Sequence, residues 1–257
     1  MLAAHQTDPP MPTLEPQALD PTTRQALEGV TTATLTTVLL KKGLRNVWIR
    51  GALPVAERLP ARRVGRAFTL RFVPAREDLA TPASWASPMS TRAAIEAMPA
   101  GAVAVVDAMA TTAAGIFGDI LCARMKQRGV AGLVTDGVVR DLAGVLGTAL
   151  PVWCRGSAAP ASVNGLTFVG WQESIGCGGV AVLPNDVIVA DGDGAVVVPA
   201  ALLDEVLESA IEQERLEGWI MREVERGVPL PGLYPANEAT TARYRAWVDG
   251  QQDQGPK

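Results

Sequence analysis

Two valine-rich runs, "AVAVVDA" (102–108) and "VAGLVTDG" (130–137), bracket the helix-like segment "GDILCARMKQRG" (118–129), which closes on Gly129. Short β-branched runs either side of one helix make a β-α-β unit, whose strands are parallel and whose crossover is right-handed. The chain is therefore expected to be α/β. In such a unit the C-terminal end of the first strand, the start of the helix and the C-terminal end of the second strand open on one edge of the sheet. Asp107, the Gly118–Leu121 turn and Asp136 through Asp141 are expected to meet there.

That edge has the chemistry of a small oxo-acid pocket. The N–H groups of Asp119, Ile120 and Leu121 should point outwards with the positive end of the helix dipole behind them, a site for an anion. Gly118 lets a ligand come close to the backbone. Arg140 can grip a carboxylate with two parallel hydrogen bonds, and Asp141 offers hard oxygen ligands to a divalent cation such as Mg²⁺. A plainer reading makes Asp119 a helix cap and Arg140–Asp141 a solvated pair opening the next helix, and spacing alone leaves both open.

What the sequence lacks narrows the chemistry further. The single histidine, His5, lies in the Pro-rich opening "MLAAHQTDPPMPTLEP". A Ser-His-Asp triad, a Cys-His pair and a His-ligated zinc site all need an imidazole inside the fold, so none is expected. Cys122, Cys154 and Cys177 are an odd number without metal-ligand spacing, in keeping with a reducing, cytoplasmic setting. A net charge of −4 without a basic stripe argues against nucleic acid. No segment is long and uncharged enough to span a bilayer.

The remaining segments lay out one domain, 23–226, between a flexible N-terminal tail, 1–22, and a C-terminal extension, 227–257. Thr23 to Lys42 reads as one helix ended by Gly43. "RAFTLRFV" (66–73) alternates like a strand with one exposed face, and the Pro/Ser-rich 79–90 reads as a loop carrying Trp85. "VGWQESIGCGGVAVLPNDVIVADGDG" has no dinucleotide fingerprint; its Asn-Asp and Asp-Gly pairs read as hairpin turns, and Cys177 within it as a buried residue. Near the end, Leu203, Val206, Leu207, Ala210 and Ile211 make the apolar stripe of an amphipathic helix.

"GIFGDILCARMKQRGVAGLVTDGVVRD" resembles the metal-dependent pyruvate aldolases acting on 4-hydroxy-4-methyl-2-oxoglutarate and 4-carboxy-4-hydroxy-2-oxoadipate, and the related "regulator of ribonuclease activity A"-like proteins. "TTATLTTVLLKKGLRN", "AFTLRFVPARED", "GCGGVAVLPNDVIVADGDGAVVVPA" and "GLYPANEATTARYRAW" extend the likeness over most of residues 25–247. The resemblance implies a swivelling β/β/α-type single domain, with a central β layer flanked by helices. It implies that Arg140 holds the pyruvate moiety, that Asp141 anchors Mg²⁺ or Mn²⁺ largely through water, and that Asp119 organises water on the metal. The amides after Gly118, those of Ile120 and Leu121 among them, would receive the substrate carboxylate. It further implies a homotrimer or hexamer whose sites are completed by a neighbour's glutamate, with Glu217 the first candidate, then Glu214 and Glu212. The reaction implied is cleavage of a 4-hydroxy-2-oxo acid to pyruvate through an enolate. Decarboxylation of oxaloacetate and dehydration of a similar keto acid follow the same enolate logic. The alternative is a non-catalytic regulator that masks a ribonuclease. The C-terminal tail with Tyr244 and Trp247, and the Trp85 loop, depart from the simpler aldolase pattern.

Overall fold

The computed structural model describes residues 15–56 and 61–252; His5 lies outside them. In chain order the elements are α1 (Pro21–Glu28), α2 (Thr32–Lys41), β1 (Leu53–Pro54), β2 (Arg63–Pro74), α3 (Thr91–Ala97), β3 (Val103–Asp107), α4 (Asp119–Gln127) and β4 (Gly132–Thr135). There follow α5 (Leu142–Gly147), β5 (Val152–Cys154), β6 (Leu166–Trp171), β7 (Ile175–Cys177), β8 (Val180–Val182), β9 (Val187–Asp191), β10 (Gly194–Val198), α6 (Leu203–Glu225) and α7 (Glu238–Gln252).

The β-α-β unit forms as expected: β3 and β4 are parallel, with α4 between them. They sit in a sheet of order β1-β5-β4-β3-β2-β9-β10, with β6 also paired to β2. The long strand β2 serves two neighbourhoods. Its first residues, Arg63–Arg66, run antiparallel to β9, while Ala67–Arg71 run parallel to β3. The segment before β1 bonds back to β10, Ile49 N–H to Ala195 O at 2.9 Å, so the sheet nearly closes on itself. Inside the curve lies one core built on Trp153, Val105, Val134 and Ile188. The helices α3, α4 and α5 cover one outer face over Phe68, Leu133 and Met125, and α1, α2 and α6 cover the other over Val189 and Val196.

Three sequence expectations change. The helix foreseen over 23–42 is two helices, because Gly29 closes α1 and Thr31 opens α2, its hydroxyl accepting the Thr34 N–H. Gly43 does follow the second helix, at φ +86°. The strand foreseen at 66–73 has no exposed face at its centre: residues 67–70 are buried, since α-helices cover one side and the curved interior the other. The tail ahead of α1 is tied down from residue 15, with Gln17 N–H donating to Asn185 Oδ1 at 2.9 Å and Asn185 Nδ2 to Glu15 O. In the C-terminal extension, α7 docks on α6 through Trp219, Ile220, Leu233 and Tyr244. The apolar stripe of α6 is buried at Leu203, Val206 and Ala210, whereas Ile211 is exposed.

Candidate active site

Three extended segments lock the edge of the sheet beyond β3 and β4. Ile116 N–H donates to Val138 O, Arg140 N–H to Phe117 O, and Val139 N–H to Gly156 O, at 2.9–3.0 Å. This zip sets Arg140 beside the turn into α4, and glycines make the approach feasible. A Cβ on Gly115 would lie 2.7 Å from Arg140 Cβ, and one on Gly118 would lie 2.6 Å from Asp141 Oδ2. Gly118 has extended backbone, so close approach rather than strain requires it.

Asp141 has an unusual backbone. It stands at the N-cap of α5 with φ 52° and ψ 46°, a left-handed conformation that Asp enters more readily than most non-glycine residues. Its carboxylate makes no cap bond. Instead Oδ2 accepts from Arg140 Nε at 3.0 Å, both side chains staying partly exposed. The Asp141 carboxylate is thus turned to Arg140 and away from its own helix.

Asp119 opens α4 as its first residue, with Gly118 as the cap, so the capping reading of Asp119 does not hold. One sequence expectation about the amides is corrected here. The Ile120 N–H is not free, because it donates to Asp119 Oδ1 at 2.7 Å. The N–H groups of Asp119 and Leu121 meet no acceptor among the described residues. Gly118, Asp119, Ile120, Leu121, Arg140 and Asp141 all line one cavity of about 290 Å³, joined there by Trp85 and Arg92.

The rest of the expected cluster divides differently. Asp136 is buried and structural: its carboxylate accepts from Ala108 N–H, Ala110 N–H and Gly178 N–H at 2.9–3.1 Å. It ties the turn after β3 to the β7–β8 hairpin. Asp107 accepts from Met109 N–H and Gly176 N–H, and neither acid lines the cavity. Both were expected at the pocket; being at the right sheet edge, they are used to fix its loops. Within one chain, Glu217, Glu214 and Glu212 do not line the cavity either. Glu217 accepts from Gln213 Nε2 at 2.7 Å and borders an apolar groove with Ile220, Met221 and Tyr234, while Glu214 accepts from Thr31 N–H.

The donor set is oxygen-only. Among the described residues no group of three His, Cys, Asp or Glu side chains is placed to hold a metal ion, which disfavours a closed zinc-type cage. Mg²⁺ ordinarily keeps several waters and one or two carboxylates, and Asp141 with Asp119 suits that habit. The cysteines offer no nucleophile: burial pushes the Cys122 thiol up to about 12 and raises the Cys154 and Cys177 thiols too.

Gly144 shows how tightly Asp119 is held. Alanine inside a helix ordinarily gains up to ~1 kcal/mol over glycine. At Gly144, in α5, a Cβ would come 2.7 Å from both Asp119 Cβ and Oδ2. Gly144→Ala is therefore expected to lower stability by about 1–2 kcal/mol. Gly147→Ala in the same helix, with nothing within 4 Å, should be neutral or stabilising. Thermal melts of the two variants check this, and a Gly144→Ala protein melting above wild type would show that Asp119 moves aside freely.

Sequence reasoning did not single out Arg92. It sits in the first turn of α3, where a cation opposes the helix dipole, and that misplacement was the available signal.

No described helix is long and apolar enough to cross a membrane. The chain is 37% identical over 124 residues to a protein of Halalkalibacterium halodurans provisionally named 4-hydroxy-4-methyl-2-oxoglutarate aldolase, a match covering 48% of this chain and 58% of that one. It spans only somewhat over half the length of that relative. Among solved structures it is similar to Streptomyces coelicolor RraAS2, described as an unusual member of the RNase ES inhibitor RraA protein family, at 35% identity and a TM-score of 0.69, over 79% of this chain and 97% of that one. It is also similar to an uncharacterised protein of Pseudomonas syringae pv. tomato, at 26% identity and a TM-score of 0.72, over 85% and 99% of the two chains. With residues 32–197 matching the model of the RraA-like family, described as Aldolase/RraA, the chain belongs to that family.

Proposed function

We propose that the chain is a lyase that cleaves a 4-hydroxy-2-oxo acid to pyruvate in the cavity between α4 and α5. The observation that carries this reading is Asp141, whose carboxylate leaves its helix uncapped and pairs with Arg140 in a space that a side chain at Gly118 would fill. The aldolase name of the Halalkalibacterium halodurans relative supports the same class.

Arg140, oriented through Nε by Asp141, presents its terminal nitrogens to the substrate's 1-carboxylate. As the C3–C4 bond breaks, its electron pair moves towards C3 and the C2 carbonyl oxygen. The 4-hydroxyl loses its proton, and the C4 fragment departs as a carbonyl compound. Negative charge grows beside the Arg140 guanidinium, a preorganised cation that need not rearrange as the reaction proceeds. Asp119, steadied by the Ile120 N–H, takes the hydroxyl proton by way of water. The pyruvate enolate then gains a proton at C3. A Mg²⁺ or Mn²⁺ ion held by Asp141, with Asp119 beside it, would polarise the 2-oxo group as a Lewis acid.

Glu217 is assigned to the cavity of a second copy in a homotrimer or hexamer. The exposed Ile211, Met221 and Val224 on α6 support an interface on that helix.

The likeness to RraAS2 favours a second reading, a regulator that masks a ribonuclease, since one fold can serve unrelated functions. One experiment separates them: pyruvate release from a panel of 4-hydroxy-2-oxo acids and oxaloacetate, with light scattering on the same sample. Pyruvate from at least one substrate, by an oligomer, is expected. No pyruvate from any, together with tight binding to a ribonuclease, would put the regulator in its place. Full activity of a monomer at nanomolar dilution would remove Glu217 from the site.

A further inference from the structure

A second arginine borders the cavity at its exposed rim. Arg92 lines it together with Arg140, and its Cζ lies 5.0 Å from the centroid of the Trp85 ring. Stacking on an aromatic face restricts an otherwise mobile side chain. Its natural helical partner is taken: Glu96, one turn on in α3, pairs with Arg124 at 2.8 Å and Arg128 at 3.1 Å. Among the described residues Arg92 has no carboxylate partner; Arg50, Arg63, Arg66 and Arg155 have none either, but none of those four lines the cavity.

We propose that Arg92, braced by Trp85, is the specificity-determining residue that receives a second carboxylate, carried on the half of the substrate that departs as the carbonyl product. The assignment rests on the lyase reading for the direction in which the substrate lies, with its 1-carboxylate on Arg140. An adjoining cavity of about 240 Å³, which shares Trp85 and is bordered by Phe72, Leu79, Met89 and Phe168, would suit the opposite preference, an apolar tail. The two cannot both set specificity.

The test compares two non-cleavable probes and two substrates in wild type, Arg92→Gln and Arg92→Lys, all with Mg²⁺. By calorimetry, 2-oxoglutarate is expected to bind the wild type about tenfold or more tightly than pyruvate, which lacks the distal carboxylate. In Arg92→Gln that ratio should collapse towards one, and Arg92→Lys should keep part of it. The ratio of kcat/KM for 4-hydroxy-2-oxoglutarate over 4-hydroxy-2-oxopentanoate should fall in parallel. A binding ratio unchanged in Arg92→Gln, or a wild type that prefers the neutral-ended substrate, overturns the proposal. A binding ratio that collapses in a protein releasing no pyruvate upholds Arg92 and removes the lyase reading. Pyruvate release with an unmoved ratio does the reverse.

Discussion

Stripping divalent cations with EDTA is expected to lower pyruvate release at least about a hundredfold, with Mg²⁺ or Mn²⁺ restoring it. The expectation follows from what else could hold the electrons of the breaking bond. A Schiff base needs a lysine in the cavity, yet Lys41, Lys42 and Lys126 lie on α2, at its end and on α4, and none lines it. No described histidine or reactive thiol is present to substitute. On the proposed reading Arg140 and the free amides serve the carboxylate end and offer the 2-oxo group no Lewis acid, whose loss from such a reaction is worth several kcal/mol, or a hundredfold and more in rate. Because the available donors are the carboxylates of Asp141 and Asp119, the hard cations should restore activity best. Asp141→Asn should raise the Mg²⁺ concentration needed for half activity, and excess Mg²⁺ should recover part of the loss. Full turnover by a metal-stripped sample would refute the assignment.

How much of this site the sequence discloses depends on how local each contact is. The run from Gly118 to Asp141 is legible because a β-α-β unit brings both ends of a short stretch to one sheet edge whatever the remainder does. The same rule overreaches at Asp107 and Asp136. It places them at the correct edge without saying which way each carboxylate turns, and the backbone amides of three loops claim them. The Ile120 amide is lost to its neighbour Asp119, a one-residue contact that helix geometry averages over. Trp85 and Arg92 come from a short 3₁₀ helix, Pro82–Ala86, and from α3, more than twenty residues ahead of Gly115; from sequence the Pro/Ser-rich 79–90 reads as a plain loop. Only the folded chain shows that Glu96, the apparent partner of Arg92, belongs to Arg124 and Arg128. The break between α1 and α2 was written in Gly29 and Thr31, but the apolar positions continue through it, so periodicity hides the joint.

Arg140→Ala is expected to abolish pyruvate release while leaving the fold intact. The backbone of Arg140 is fixed by its own N–H bond to Phe117 O, which the substitution keeps, and the guanidinium packs on no core residue but reaches partly exposed to Asp141. What disappears is the grip on the substrate carboxylate and the cation beside the developing enolate. Removing one such preorganised contact costs on the order of 2–4 kcal/mol, a hundredfold or more in rate. Thermal stability should change little, because an ion pair exposed to this degree contributes at most about 1 kcal/mol. Arg140→Lys should rescue poorly, since an ammonium cannot hold Asp141 through one nitrogen and present two more to a carboxylate in a fixed plane. The measurements are kcat/KM for pyruvate release and a thermal melt on each variant. Wild-type rates in both would remove Arg140 from the site, and a lowered rate matched by a large fall in melting temperature would make its role structural.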